Sequence, residues 1–186
     1  SDEFCDEFFE AYVPYWIEYY FKDERYLKID GRPIVGIYSM DKFLGMFGTM
    51  GEDDEAINAG IARFRQACID AGVGNPYIIS HGFGYTEATF KKYSVYDIDC
   101  IGLASWPKHE GLTWQKSDIK AMSKASDKYN MDFVASVQPR QDLAAWDQRT
   151  GFHSSGKEFL NLLTWAKNEL PSLMTPHRLS KRLMNL

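Results

Sequence analysis

Several things are scarce or missing in this chain. No apolar run approaches the roughly 20 residues that a membrane helix requires, so no span is expected. The three cysteines, Cys5, Cys68 and Cys100, are widely spaced and show neither a zinc spacing nor a CxxC pair. Each lies in an apolar or amphipathic stretch, which makes it a buried free thiol by default. The four histidines carry no HExxH or paired spacing, so no metal site is expected. The net charge is -5 and no basic stripe stands out beyond the tail "HRLSKR", so nucleic acid is not an expected partner. There is no GxGxxG, Walker A or GxSxG motif. A nucleotide-binding sheet and a serine nucleophile on an elbow turn therefore lack their usual marks, and no cofactor is expected. The opening "SDEFCDEFF" has no initiator Met and no signal-like apolar region, which fits either a processed chain or a segment of something longer.

Aromatic residues, by contrast, are abundant: 11 Tyr, 12 Phe and 5 Trp. Two readings follow. The rings form a large core, or some of them form a cleft in which sugar rings stack, because tyrosine and tryptophan join an apolar face to a polar edge.

Along the chain, helical and strand-like patterns alternate. Phe4, Phe8, Tyr12, Tyr15, Trp16 and Tyr19 recur at spacings of three and four, predicting a helix from about Glu3 to Tyr20 with Pro14 as a kink or break. Asp30-Gly31 is a turn, and Pro33 opens a strand at Ile34–Tyr38. Asp53 or Asp54 caps the clearest helix, whose inward face is Ile57, Ile61, Phe64, Cys68 and Ala71 and which Gly72 and Gly74 end. Strands are expected at 76–80, 97–105 and 132–137, with the start of another at 182–186. Helices are expected after Thr86, from Ser117 to about Tyr129, and from Ser154 or Ser155 with Phe159, Leu162, Leu163 and Ala166 inward. The alternation of apolar strands with helices predicts an α/β fold of the (β/α)8 TIM-barrel type, present in part as four to five β/α units in one segment spanning 1–186.

Barrel function gathers at the C-terminal ends of strands. Those ends offer Tyr38, Ser39 and Asp41, then Ser80 and His81, then Ser105, Trp106, Lys108 and His109, then Gln138, Arg140, Gln141 and Asp142. Tyr38 either lines a ligand or closes the core. His81 is a hydrogen-bonding residue ahead of the turn "GFG", or a loop histidine tied to backbone. Trp106, stiffened by Pro107, is a stacking platform or a cover for the rim. In the long polar stretch 138–155, Trp146, Asp147 and Arg149 shape a pocket in which Arg149 braces a carboxylate, or form a surface ion pair worth little. Two-carboxylate glycoside chemistry needs an acid and a second carboxylate flanking one bond. Asp97 and Asp99 open a strand rather than end one, so the strand ends supply no such pair and no catalytic residue is assigned.

The stretch "YWIEYYFKDERYLKIDGRPIVGIYS" resembles a signature of the glycoside hydrolase family 99-like proteins, including the WbsX group associated with polysaccharide clusters. There an aromatic-rich helix leads into F-x-D-x-R-Y, a K-I-D-G-K/R-P turn and an apolar strand ending in Tyr. Phe21, Asp23, Arg25, Tyr26, Asp30, Gly31, Pro33 and Tyr38 match in order. "SVQPRQDLAAWDQRTGFHSSGKEFLNLLTWAK" is similar to a later strand, loop and helix of that family, with Trp146, Arg149 and Phe159 in matching positions. The resemblance implies a (β/α)8 barrel acting on α-linked glycans, of which this chain is a central segment. The family's paired glutamates sit in a W-N-E-W/Y-x-E-G motif after a late strand; "LSKRLMNL" looks like that strand, and no Trp-Asn-Glu occurs.

The expectation is a segment of a glycoside hydrolase acting on α-linked polysaccharide. Tyr38, His81, Trp106, Gln138, Trp146 and Arg149 would bind the substrate. The expected partners are a polysaccharide or oligosaccharide and the rest of its own barrel. The alternatives are a non-catalytic glycan-binding domain or a WbsX-type glycosyltransferase, for which "DID" at 97–99 has D-x-D spacing but opens a strand. The compartment stays open, with the cell envelope or secretion favoured over the cytoplasm.

Overall fold

A computed structural model describes residues 2–83, 85–105, 112–137 and 154–173. The described chain divides into two compact units. One contains residues up to His81 together with Lys92–Cys100; the other contains Gly82–Lys91 and residues from Ile101 onward.

The first unit opens on a helical stretch, α1, built of four pieces: Asp2–Glu7, Phe8–Tyr12, Val13–Trp16 and Ile17–Phe21, the second and fourth being π turns. Pro14 explains the first widening. It has no N–H to give the preceding turn and its ring would crowd a regular one, and the Val13 N–H bonds Phe8 O five residues back. The widened turns also set which residues face inward. Phe8, Val13, Ile17 and Phe21 are buried, at a spacing of five, four and four. Phe4, Tyr12, Tyr15 and Tyr19, members of the regular spacing seen in the sequence, are exposed.

After α1 comes a hairpin, β1 (Lys28–Ile29) and β2 (Arg32–Ile37), paired antiparallel with Ile29 opposite Arg32. Asp30 and Gly31, at φ 51° and 74°, give the two-residue turn the φ signs of type I′, the turn whose twist suits a hairpin. A short helix α2 (Met40–Leu44) and the long helix α3 (Asp54–Asp70) follow. Ile57, Ile61, Phe64 and Cys68 on α3 are fully buried, as the sequence pattern predicts, whereas Ala71, also expected inward, is exposed just past the helix end. Helix α3 ends in a Schellman motif: Val73 N–H bonds Cys68 O (3.1 Å) and Gly72 N–H bonds Ile69 O (2.9 Å). Gly74 is demanded by contact, since a Cβ there would stand 2.7 Å from Gly31 O on the hairpin turn. Strand β3 (Tyr77–Phe83) then runs parallel to β2, with Ile34 opposite Tyr77 and Ile37 opposite Ser80. The core of this unit is aromatic: Phe8 meets Trp16, Phe43, Phe47 and Phe64 edge-on, with centroids 5.5–6.1 Å away.

Helix α4 (Glu87–Tyr93) belongs to the second unit as far as Lys91, and there its Glu87 takes Lys128 Nζ at 2.6 Å from α5 (Leu112–Tyr129). Phe90 of α4 meets Phe133 of β5 (Asp132–Val134) edge-on. Helix α5 starts earlier than its expected cap at Ser117, and Ile119, Met122 and Ala125 are buried as expected. Helix α6 (Gly156–Leu173) packs on α5 and begins with a capping box, Ser155 N–H to Glu158 Oε2 (2.7 Å) and Glu158 N–H to Ser155 Oγ (3.3 Å). Leu162 and Ala166 face inward, whereas Leu163 is exposed.

With β4 (Cys100–Ser105) the strands run in the order β1-β2-β3-β4-β5, a mixed five-stranded sheet that is antiparallel at β1-β2 and parallel thereafter. This overturns the expected (β/α)8 TIM-barrel type and its series of four to five β/α units. In such a series every neighbouring pair is parallel and joined by a crossover helix. Here the sheet opens on a two-residue reversal that needs no crossover. Among the described residues no helix is long and apolar enough to cross a membrane. The strand expected at 182–186 lies outside the described residues.

Candidate functional site

Two of the six expected binding residues fall among the described ones, and the sheet brings them together. Tyr38 and His81 stand one step beyond the last registered pair, Ile37 and Ser80, on adjacent parallel strands whose backbones lie about 4.8 Å apart. Both side chains are exposed, Tyr38 at 64 %, while the Ser80 side chain next to His81 is fully buried. Tyr38 therefore stands just past the carboxyl end of β2, whereas β3 runs on to Phe83, so His81 lies within the last three residues of that strand and not past its end as expected; both lie toward the edge at which ligands meet parallel sheets. Trp106, Gln138, Trp146 and Arg149 lie outside the described residues.

Beyond Tyr38, Ser39 accepts the first N–H groups of α2: Lys42 N at 3.1 Å and Phe43 N at 3.0 Å. Asp41 sits in that first turn and holds two donors, Tyr93 Oη at 2.7 Å and Lys92 Nζ at 2.6 Å. Partial burial pushes the Asp41 carboxyl up, but these two hydrogen bonds outweigh it and hold it below the usual carboxylate value. It is thus ionised at neutral pH, suited to orienting a ligand and unsuited to donating a proton. Among the described residues, no three His, Cys, Asp or Glu side chains gather as a metal site.

The opposite ends of the same strands are knotted shut. Arg32 gives hydrogen bonds to Asn75 O (3.0 Å), Pro76 O (2.9 Å) and Asp99 Oδ1 (2.6 Å). Arg65, from α3, reaches Asn75 Oδ1 (2.8 Å), Asp97 O (2.7 Å) and Asp99 Oδ2 (2.9 Å) with its terminal nitrogens. Its Nε lies 2.6 Å from Asp97 Oδ2 without hydrogen-bond alignment, so that contact is ionic. Asp99 also accepts the Ile78 N–H at 2.8 Å. Asp97 and Asp99 are therefore spent on structure, in keeping with their position before β4.

Sequence reasoning missed a second feature of this unit. A groove of about 270 Å³ lies against the outer edge of β2, lined by Trp16, Tyr20, Phe21, Tyr26, Val35 and Gly36. A neighbouring depression of similar size shares Tyr20 and Tyr26 and adds Tyr19, Asp23 and Arg25. The signal was in the run "YWIEYYF", but only the π turns decide that its tyrosines face outward.

Comparison with family models, curated proteins and solved structures finds no match to this chain.

Proposed function

We propose that this chain binds α-linked oligosaccharide or polysaccharide as part of a glycan-processing hydrolase. The observation that carries the reading is that Tyr38, just past β2, and His81, in the last three residues of β3, are both exposed and follow the last registered pair of these strands. A tyrosine ring offers an apolar face to the C–H face of a sugar, and an imidazole both donates to and accepts from hydroxyls. Ionised Asp41, three residues past Tyr38, adds an acceptor. The resemblance of "RYLKIDGRPIVGIYS" and its flanks to glycoside hydrolase family 99-like proteins points to the same ligand class.

Binding without chemistry by this chain is the second reading: Asp41, held ionised by Lys92 and Tyr93, is unsuited to the acid's part in a carboxylate pair, and the sequence contains no Trp-Asn-Glu.

The test is titration of the chain with α-1,6-mannotriose and with a rhamnose trisaccharide, followed by saturation-transfer NMR. Tyr38→Ala and His81→Ala are each expected to weaken binding about tenfold, or 1.4 kcal/mol. Wild-type protein that takes up neither sugar overturns the reading. Release of reducing sugar from the corresponding polysaccharides by the full natural protein separates the hydrolase from the binder.

A further inference from the structure

We infer that the groove between α1 and the outer edge of β2 is a second sugar site, which takes one neutral pyranose ring of the glycan that Tyr38 and His81 bind. The inference rests on the proposed function for its ligand class and on separate residues for its site.

The geometry starts from Ile34. Its N–H bonds Leu27 O at 3.2 Å and its carbonyl accepts the Tyr26 hydroxyl at 2.7 Å, so both polar groups point away from β3. Strand polar groups alternate with a period of two, so Gly36 turns its N–H and C=O to the same outer side. Gly36 is exposed, and a Cβ built on it meets nothing within 4 Å. A backbone donor and acceptor thus open into a groove walled by aromatic rings. Tyr26 is pinned by its bond to Ile34, and the Tyr20 ring stands 6.3 Å from it.

Three observations choose the occupant. First, an added β-strand would need a run of outward polar groups. Ile34 is already engaged and the strand ends at Ile37, which leaves the one pair at Gly36. Second, the space is about 270 Å³, below the roughly 300 Å³ at which sites for drug-sized ligands begin, and fits one ring. Third, the charge beside it is cancelled: Arg25 clasps Asp23 through Nε (3.0 Å) and a terminal nitrogen (2.6 Å). A phosphate or carboxylate ligand would find no lysine or arginine among the described residues of the groove's lining, and Arg25, in the neighbouring depression, is paired with Asp23. Tyr38 lies two residues past Gly36, about 7 Å along the strand, so one oligosaccharide can follow β2 through both sites.

The experiment titrates α-1,6-mannotriose into the wild-type chain, into Tyr20→Ala, Tyr20→Phe and Gly36→Val, and into Tyr38→Ala and His81→Ala. Tryptophan fluorescence, to which Trp16 of the groove wall contributes, and saturation-transfer NMR report binding, and sedimentation velocity reports association. Valine suits a strand and has space at Gly36, and circular dichroism checks the fold of every variant. The expected result is a loss of about tenfold or more in Tyr20→Ala and Gly36→Val, with Tyr20→Phe within about threefold of wild type. Loss confined to Tyr38→Ala and His81→Ala overturns the second site and leaves the proposed function standing. Self-association that Gly36→Val abolishes, with sugar binding unchanged, also overturns it and makes the edge a contact between copies. A wild-type chain that binds no sugar overturns both.

Discussion

The two ends of β2 and β3 are built for opposite purposes. At the amino end, Arg32, Arg65 and Asp99 have side chains only 28, 7 and 16 % exposed, and their charges are spent on one another and on carbonyls. At the carboxyl end, Tyr38 is 64 % exposed and Asp41 is half in water. Buried charges must be matched completely, because an unmatched one loses its hydration with nothing in return. Exposed side chains cost the fold little and stand where a ligand can reach them. One end holds the strands in register; the other presents what they carry.

The sharpest way to break this contrast is substitution at each end. Arg65→Met removes the cation that joins α3 to Asp97 and Asp99, leaving Asp99 with Arg32 and the Ile78 N–H and the carbonyl of Asp97 without its Arg65 donor. A loss of about 3–5 kcal/mol is expected in urea unfolding. Tyr38→Ala at the other end should change stability by less than about 0.5 kcal/mol while weakening sugar binding. Equal losses at the two ends would remove the distinction.

The next effect is read at alkaline pH. Cys68 lies one turn after Arg65 on α3 and is fully buried. Burial pushes its thiol up to about 12, against a smaller opposing pull from the Arg65 charge. The unfolded thiol ionises near pH 9 and the folded one does not. Stability from this group is therefore complete below about pH 9 and falls as pH rises toward 12. About 1 kcal/mol should be lost by pH 10, and Cys68→Ala should flatten the dependence of unfolding on pH between 8 and 10. In the folded chain at pH 8, iodoacetamide should label the half-buried Cys5 and spare Cys68 and Cys100, as mass spectrometry of peptides would show.

Much of this contrast was legible in the sequence wherever the signal was local. Asp30-Gly31 announced its turn, Ser154 or Ser155 the start of α6, and Gly72 the end of α3. The inward face of α3 could be read from its spacing as far as Cys68, and so could the place of Tyr38 at the end of β2, whereas β3 runs past its expected end at Ser80 and takes in His81. What escaped depended on distant partners or on backbone detail. Lys28–Ile29 is too short and polar to look like a strand, yet pairing with Arg32 and Pro33 makes it one, and this pair changes the sheet from parallel to mixed. Arg65 reads as a polar position on a helix because its partners lie 32 and 34 residues away. The outward tyrosines of α1 were disguised by a regular spacing that two π turns interrupt.

The smallest effect tests whether the carboxyl end contributes to holding the fold at all. Asp41 accepts from Lys92 and Tyr93, so Asp41→Asn removes an ion pair but keeps an acceptor. The carboxyl's folded value lies below its ordinary 3.8 because these bonds overcome the cost of burial. A depressed carboxylate stabilises the folded state above its unfolded value and loses that contribution as pH falls through its folded one. The pair is half exposed and screened by solvent, so only about 0.3 kcal/mol is expected at pH 6. The difference in melting temperature between wild type and Asp41→Asn should shrink from pH 5 toward pH 2. A difference of several kcal/mol at pH 6 would make Asp41 a structural anchor like Asp99, and the carboxyl end would then be braced in the same way as the amino end.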